Sequence, residues 1–150
     1  MGIDPGLSGG IALLGTDSER LFRVWRMPTM EVGGKRHVNG ALLADLVREN
    51  LPHRVFVEAV GARPGQGVTS MFSFGRGLGV VEGVMAALQV PIAFLSPAAW
   101  RGAVKLRGGK DDARGAATRL WPDHARHFSL AKDDGVAEAA LIALAGARSR

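Results

Sequence analysis

A chain of 150 residues with 47% hydrophobic content is long enough to bury a proper core and too apolar for disorder to be the default. It holds no cysteine, which excludes disulfides, zinc–thiolate centres and thiol catalysis. Nineteen Lys and Arg against 14 Asp and Glu leave a net charge of +5, which suits a polyanionic partner, most simply nucleic acid.

Only three residues precede Asp4, where a central strand would ordinarily begin earlier, so the start of the chain is expected to be trimmed or misassigned. Asp4-Pro5-Gly6 turns the chain out of a first strand, and Gly10 to Gly15 reads as an apolar second strand. Thr16 to Glu19 is a turn, and the loose alternation of Leu21 to Met27 predicts a half-buried third strand ended by Pro28. Glu31 to His37, with Gly33-Gly34-Lys35-Arg36 inside it, reads as a flexible basic loop. Asn39 caps a helix with Leu42, Leu43, Leu46 and Val47 on one face. After Pro52, Val55-Phe56-Val57-Glu58 predicts a buried strand that ends on a carboxylate. Gly61 to Gly67 is a loop, and Thr69 or Ser70 caps a long helix to Gln89. Val90 to Leu95 is a further strand, and Ser96-Pro97 opens a short helix with proline in its first turn. Gly108-Gly109 is a break, Asp111 to Trp121 is helical up to Pro122, and a last helix runs from about Asp133 to Ala147.

Three strands, then helix, strand, helix, strand and helices predict one α/β domain over residues 1–150. Its mixed five-stranded sheet opens with an antiparallel meander and carries helices on both faces. No apolar run approaches the roughly 18 residues of a membrane span. No signal peptide is visible either, so a cytoplasmic protein is expected.

Four acids carry the chemistry: Asp4 after the first strand, Glu58 at the end of the fourth, and Asp134 and Glu138 in the last helix. A lone glutamate ending an apolar strand is costly to ionise without a cation or a donor beside it. Asp134 and Glu138 are four apart, so they share a helix face, where two like charges repel unless a cation intervenes. If these places converge, an all-oxygen ligand set suits magnesium, with manganese as a substitute, better than zinc. The plainer alternatives are that Asp4 stabilises its turn and that Asp133 or Asp134 caps the last helix.

Gly2-Ile3-Asp4-Pro5-Gly6, Val55-Phe56-Val57-Glu58, the Gly/Phe-rich helix that follows and Asp134 through Ala143 occur in an order that resembles RuvC-type Holliday junction resolvases. The likeness is greatest to compact phage members, and it spans nearly the whole chain. It implies an RNase H-like fold and a magnesium-dependent crossover junction endodeoxyribonuclease, acting as a homodimer on branched DNA, in particular four-way junctions. Asp4, Glu58, Asp134 and Glu138 would be the catalytic, metal-binding carboxylates. The family often spaces its last two acids by three and ends with Asp; here the spacing is four and the last is Glu. Asp133 is therefore a rival to Asp134, although five residues before Glu138 it aligns less well on a helix.

For DNA contact, the resemblance points to Lys105 and Lys110 beside Gly108-Gly109, and to Arg63 and Gln66 in the loop after Glu58. Phe72 can wedge between bases at an opened junction, whereas Phe74, Trp25, Trp100 and Trp121 read as packing residues. Arg114 and Arg119 read as surface charges on a helix, and the four histidines show no ligand spacing tied to the acids. Gly75, Gly79 and Gly83 recur every four residues and form a flat stripe, which fits either a dimer interface or the chain's own sheet. The rival functions are a related nuclease acting on other branched DNA or on RNA, and a junction-binding module that does not cut.

Overall fold

The computed structural model describes residues 1–59, 61, 65, 67–108 and 110–149, with Lys110 described by its backbone alone. Five strands form the main sheet: β1 (Gly2–Asp4), β2 (Gly10–Leu14), β3 (Leu21–Arg26), β6 (Val55–Glu58) and β7 (Ile92–Leu95), in the order β3-β2-β1-β6-β7. The first three are antiparallel, while β1–β6 and β6–β7 are parallel, so the sheet is mixed as its meander-then-crossover order dictates. Residues 31–37 differ from expectation. They belong to a hairpin of β4 (Thr29–Val32) and β5 (Lys35–Val38). Gly33 and Gly34 take φ of +59° and +72°, which only glycine adopts cheaply, and so close a two-residue turn between paired strands.

One face of the sheet is covered by α1 (Gly40–Asn50) and α2 (Val68–Ala87), around Ile3, Ile11, Leu43, Val57, Val81 and Met85. The other face is covered by α3 (Pro97–Ala103), α4 (Lys110–Leu120) and α5 (Asp134–Arg148). Asn39 caps α1 by accepting from the Leu42 amide at 3.1 Å, and Ser96 caps α3 by accepting from Ala99 at 3.2 Å. Neither Thr69 nor Ser70 caps α2, whose N-cap is Gly67 with no side-chain bond.

α5 is the central helix of the second face and buries twelve of its fifteen residues, which is why it reads Ala/Leu-rich all round. Glycines let it lie directly on the sheet backbone. A methyl on Gly10 would meet the Val136 Cα at 2.6 Å, and one on Gly2 would meet the Ala139 carbonyl at 2.3 Å. Salt bridges hold both ends of α5. Arg26 of β3 pairs with Asp133 at its start, and Arg148 at its finish reaches Glu19 through two bonds of 2.7 and 2.8 Å. Among the described residues, no helix is long and apolar enough to cross a membrane.

Candidate active site

The carboxyl ends of β1 and β6 make the floor of the site. Ile3 pairs with Val57 in parallel register, so the next residues along, Asp4 and Glu58, end neighbouring strands whose backbones run about 5 Å apart. Residues 5–9 then fold back, with Gly9 bonded to the Gly6 carbonyl, and β2 begins at the same edge. Gly9 forms a bridge with Gly135, which brings the first turn of α5 against that edge. Asp134 thus enters beside the Asp4 loop, and Glu138 follows one turn later, about 6 Å along the axis. Asp4, Glu58 and Asp134 thus reach one edge of the sheet along three separate stretches of chain.

Their side chains are engaged with protein partners. The Asp4 Oδ1 accepts from the Gly6 amide at 3.2 Å, which tightens the turn. The Glu58 Oε1 accepts from the indole Nε1 of Trp100 at 2.9 Å. Trp100 is buried in α3 at 1% exposure, so it supplies the donor that a strand-end carboxylate in an apolar setting requires. Arg101 lies over the Trp100 ring, 5.3 Å from its centroid, and donates to the Gly108 carbonyl. That contact fastens the turn carrying exposed Lys105 to the wall of the site.

Of the two aspartates that open α5, Asp133 has a structural post. It is 3% exposed, pairs with Arg26 and accepts the Leu130 amide at 3.1 Å. Burial alone would raise its pKa, but the Arg26 and Leu130 hydrogen bonds outweigh it and hold the carboxyl below its ordinary value. Asp134 instead faces Arg114 of α4, whose Nε lies 2.8 Å from the Asp134 Oδ1. Both atoms are shut off from solvent, so the guanidinium is the charge partner of that carboxylate oxygen in place of water. Arg114 also pairs with exposed Asp111. The expectation of a plain surface charge at Arg114 is corrected: its side chain is 19% exposed and lies against the site.

Among the described residues, no three His, Asp or Glu side chains are gathered so as to hold a metal ion. The donor chemistry of the four acids fits a hard divalent cation. Trp100 and Arg114 are the two site residues that sequence reasoning passed over.

The remaining candidates are scattered. Arg63 and Gln66 lie outside the described residues, as does the side chain of Lys110. Phe72 is 74% exposed and Val68 83% exposed at the start of α2, while Phe74 is half-buried. Methyl groups on Gly75, Gly79 and Gly83 would meet nothing within 4 Å, so the stripe does not pack on the chain's own sheet. Gly77 is the glycine of that helix that faces inward, against Val38 of β5 and the Pro5 carbonyl. A cavity of about 620 Å³ lies at the opposite edge, lined by Met1, Leu14, Phe22, Arg54 and Phe56 among others, and none of the four acids lines it.

No family model matches this sequence, and no curated protein matches it. Solved structures do match. Thermus thermophilus RuvC superposes with a TM-score of 0.66 at 18% identity, over 98% of this chain and 92% of that one. T. thermophilus RuvC in complex with a Holliday junction substrate gives 0.65 at 17% identity, over 98% and 91%. Over nearly its full length, then, this chain has the RNase H-like fold of RuvC.

Proposed function

We propose that this chain, as a single domain and a homodimer, is a structure-specific endonuclease that cuts four-way DNA junctions with the help of a divalent cation. The observation that carries the reading is that the chain segments bearing Asp4, Glu58 and Asp134 come to one sheet edge, in a fold shared with a protein solved on a Holliday junction substrate. Asp4, Glu58, Asp134 and Glu138 would hold magnesium, or manganese in its place. Such an ion would acidify an attacking water and offset the negative charge on the phosphate and leaving oxygens.

The chain's own residues do the rest. Trp100 aims the Glu58 carboxylate, and the Gly6 amide aims that of Asp4. Exposed Lys105, with Lys110 and Arg63, would neutralise the DNA backbone, in keeping with the net +5, and Gln66 would contact it. Exposed Phe72 suits an unstacked base at the junction centre. Water adds to phosphorus and the bond to the 3′ oxygen breaks, leaving a 5′-phosphate and a 3′-hydroxyl. The open glycine stripe of α2 suits a second copy and hence paired cuts.

The test is cleavage of labelled four-way junctions, flaps, duplex and RNA–DNA hybrids with magnesium, comparing wild type with Asp4→Asn and Glu58→Gln. Junction cutting by wild type, with both variants binding but cutting at least a hundredfold more slowly, is the expected result. Unchanged rates in both variants would refute it. A second reading, a junction-binding module that does not cut, draws on the lack of three gathered ligands among the described residues. It predicts tight junction binding with no product from wild type at any magnesium or manganese concentration.

A further inference from the structure

We infer that Arg114 is an internal counter-cation for the candidate metal site: its guanidinium neutralises Asp134 in the ion-free protein and must yield when a divalent cation enters. The inference rests on the proposed metal-binding role of Asp134. Three observations carry it. Arg114 Nε sits 2.8 Å from the Asp134 Oδ1. Both atoms are closed to solvent, so the guanidinium stands where water would otherwise meet the carboxylate oxygen. Arg114 also holds Asp111, which is 91% exposed, and its Nη1 lies 3.5 Å from the Ser129 carbonyl, so the guanidinium keeps partners when Asp134 is taken.

The position follows from the helix. Ala113 and Ala117 are fully buried and fix the inner face of α4 against α5. Residue 114 is the next step round, at the margin of that contact, where a long side chain lies along the helix and reaches the first turn of α5. Asp134 has a positive partner already, and one supplied by the protein carries none of the geometric demands of a metal.

Cation binding without DNA provides the test, read from free Mn²⁺ by electron paramagnetic resonance. Wild type, Arg114→Gln, Asp134→Asn and the double variant form a cycle. Removing the guanidinium should tighten Mn²⁺ binding by roughly tenfold, the scale on which one adjacent opposite charge shifts a carboxylate. In the Asp134→Asn background the same change should alter binding less than twofold. Equal or weaker binding by Arg114→Gln overturns the inference, as does a gain that persists without Asp134, which would be general electrostatics. Failure of every variant and of wild type to bind Mn²⁺ sinks the metal-site reading itself along with this one, whereas equal binding by wild type and Arg114→Gln sinks this one alone. If Arg114→Gln does not fold, Arg114→Lys takes its place, with a smaller gain in the same direction, and no gain in it overturns the inference.

Discussion

Gly10→Ala is the substitution that most directly tests how the site is assembled. The added methyl would sit 2.6 Å from the Val136 Cα, 2.7 Å from the Gly135 carbonyl and 2.8 Å from the Val136 amide nitrogen. All three are backbone atoms, so no side chain can swing away. Ordinary contact begins near 3.4 Å, and α5 must therefore retreat from β2 by about 0.8 Å. Overpacking of this kind costs about 2 kcal/mol, which for a domain of this size lowers the melting midpoint by roughly 4–8 °C. The retreat also carries Asp134 and Glu138 away from Asp4 and Glu58, which stay on the sheet. A misplacement of that order at a reacting centre lowers rate by roughly a hundredfold. Thermal unfolding and junction cleavage should be measured side by side with Gly102→Ala as control, since that methyl in α3 meets nothing within 4 Å. A Gly10→Ala protein that melts and cuts like wild type would show that close contact between α5 and β2 does not set the site.

Other perturbations follow from single contacts. Trp100→Phe removes the donor to Glu58; about 1–2 kcal/mol of stability should be lost, and cleavage should slow roughly tenfold with junction binding unchanged. An equal loss of binding and rate would instead assign Trp100 a purely structural part. Asp133 has a folded pKa below its unfolded value of 3.8, so its contribution is fully present above that value and disappears as pH falls through the folded one. Asp133→Asn should accordingly be about 2 kcal/mol less stable in urea at pH 7, with the gap to wild type closing below about pH 4. A gap constant with pH would show that the Arg26 pair contributes nothing. Gly79→Leu should leave the fold intact but weaken self-association in sedimentation equilibrium; undiminished association would place the dimer elsewhere.

The sheet was legible because its determinants are local. Apolar runs bounded by Pro28, Pro52 and Ser96-Pro97 mark strands and helix starts, and a meander followed by crossovers leaves little freedom in strand order. The adjacency of Asp4 and Glu58 follows from that order, since parallel neighbours end at the same edge. The hairpin of residues 29–38 was misjudged as a loop because Gly33-Gly34 signals flexibility and a tight turn equally well, and only the flanking residues decide. The Glu58–Trp100 and Asp134–Arg114 contacts join residues 42 and 20 positions apart in sequence. Neither has a local signature, although Arg114 one step from buried Ala113 was a hint that its stem would lie on a packed face.

The partners of the acids differ in kind, and the difference bears on how the protein works. Asp4 is bonded to a backbone amide, Glu58 to an indole and Asp134 to a guanidinium. The indole is a neutral donor, which orients the Glu58 carboxylate without cancelling its charge. The third is itself a cation, and it occupies the same electrostatic role that a divalent ion would. At the start of α5 the chain supplies its own positive charge beside Asp134. If Asp134 binds an ion as proposed, that ion's affinity depends on how readily Arg114, already paired with Asp111, gives Asp134 up.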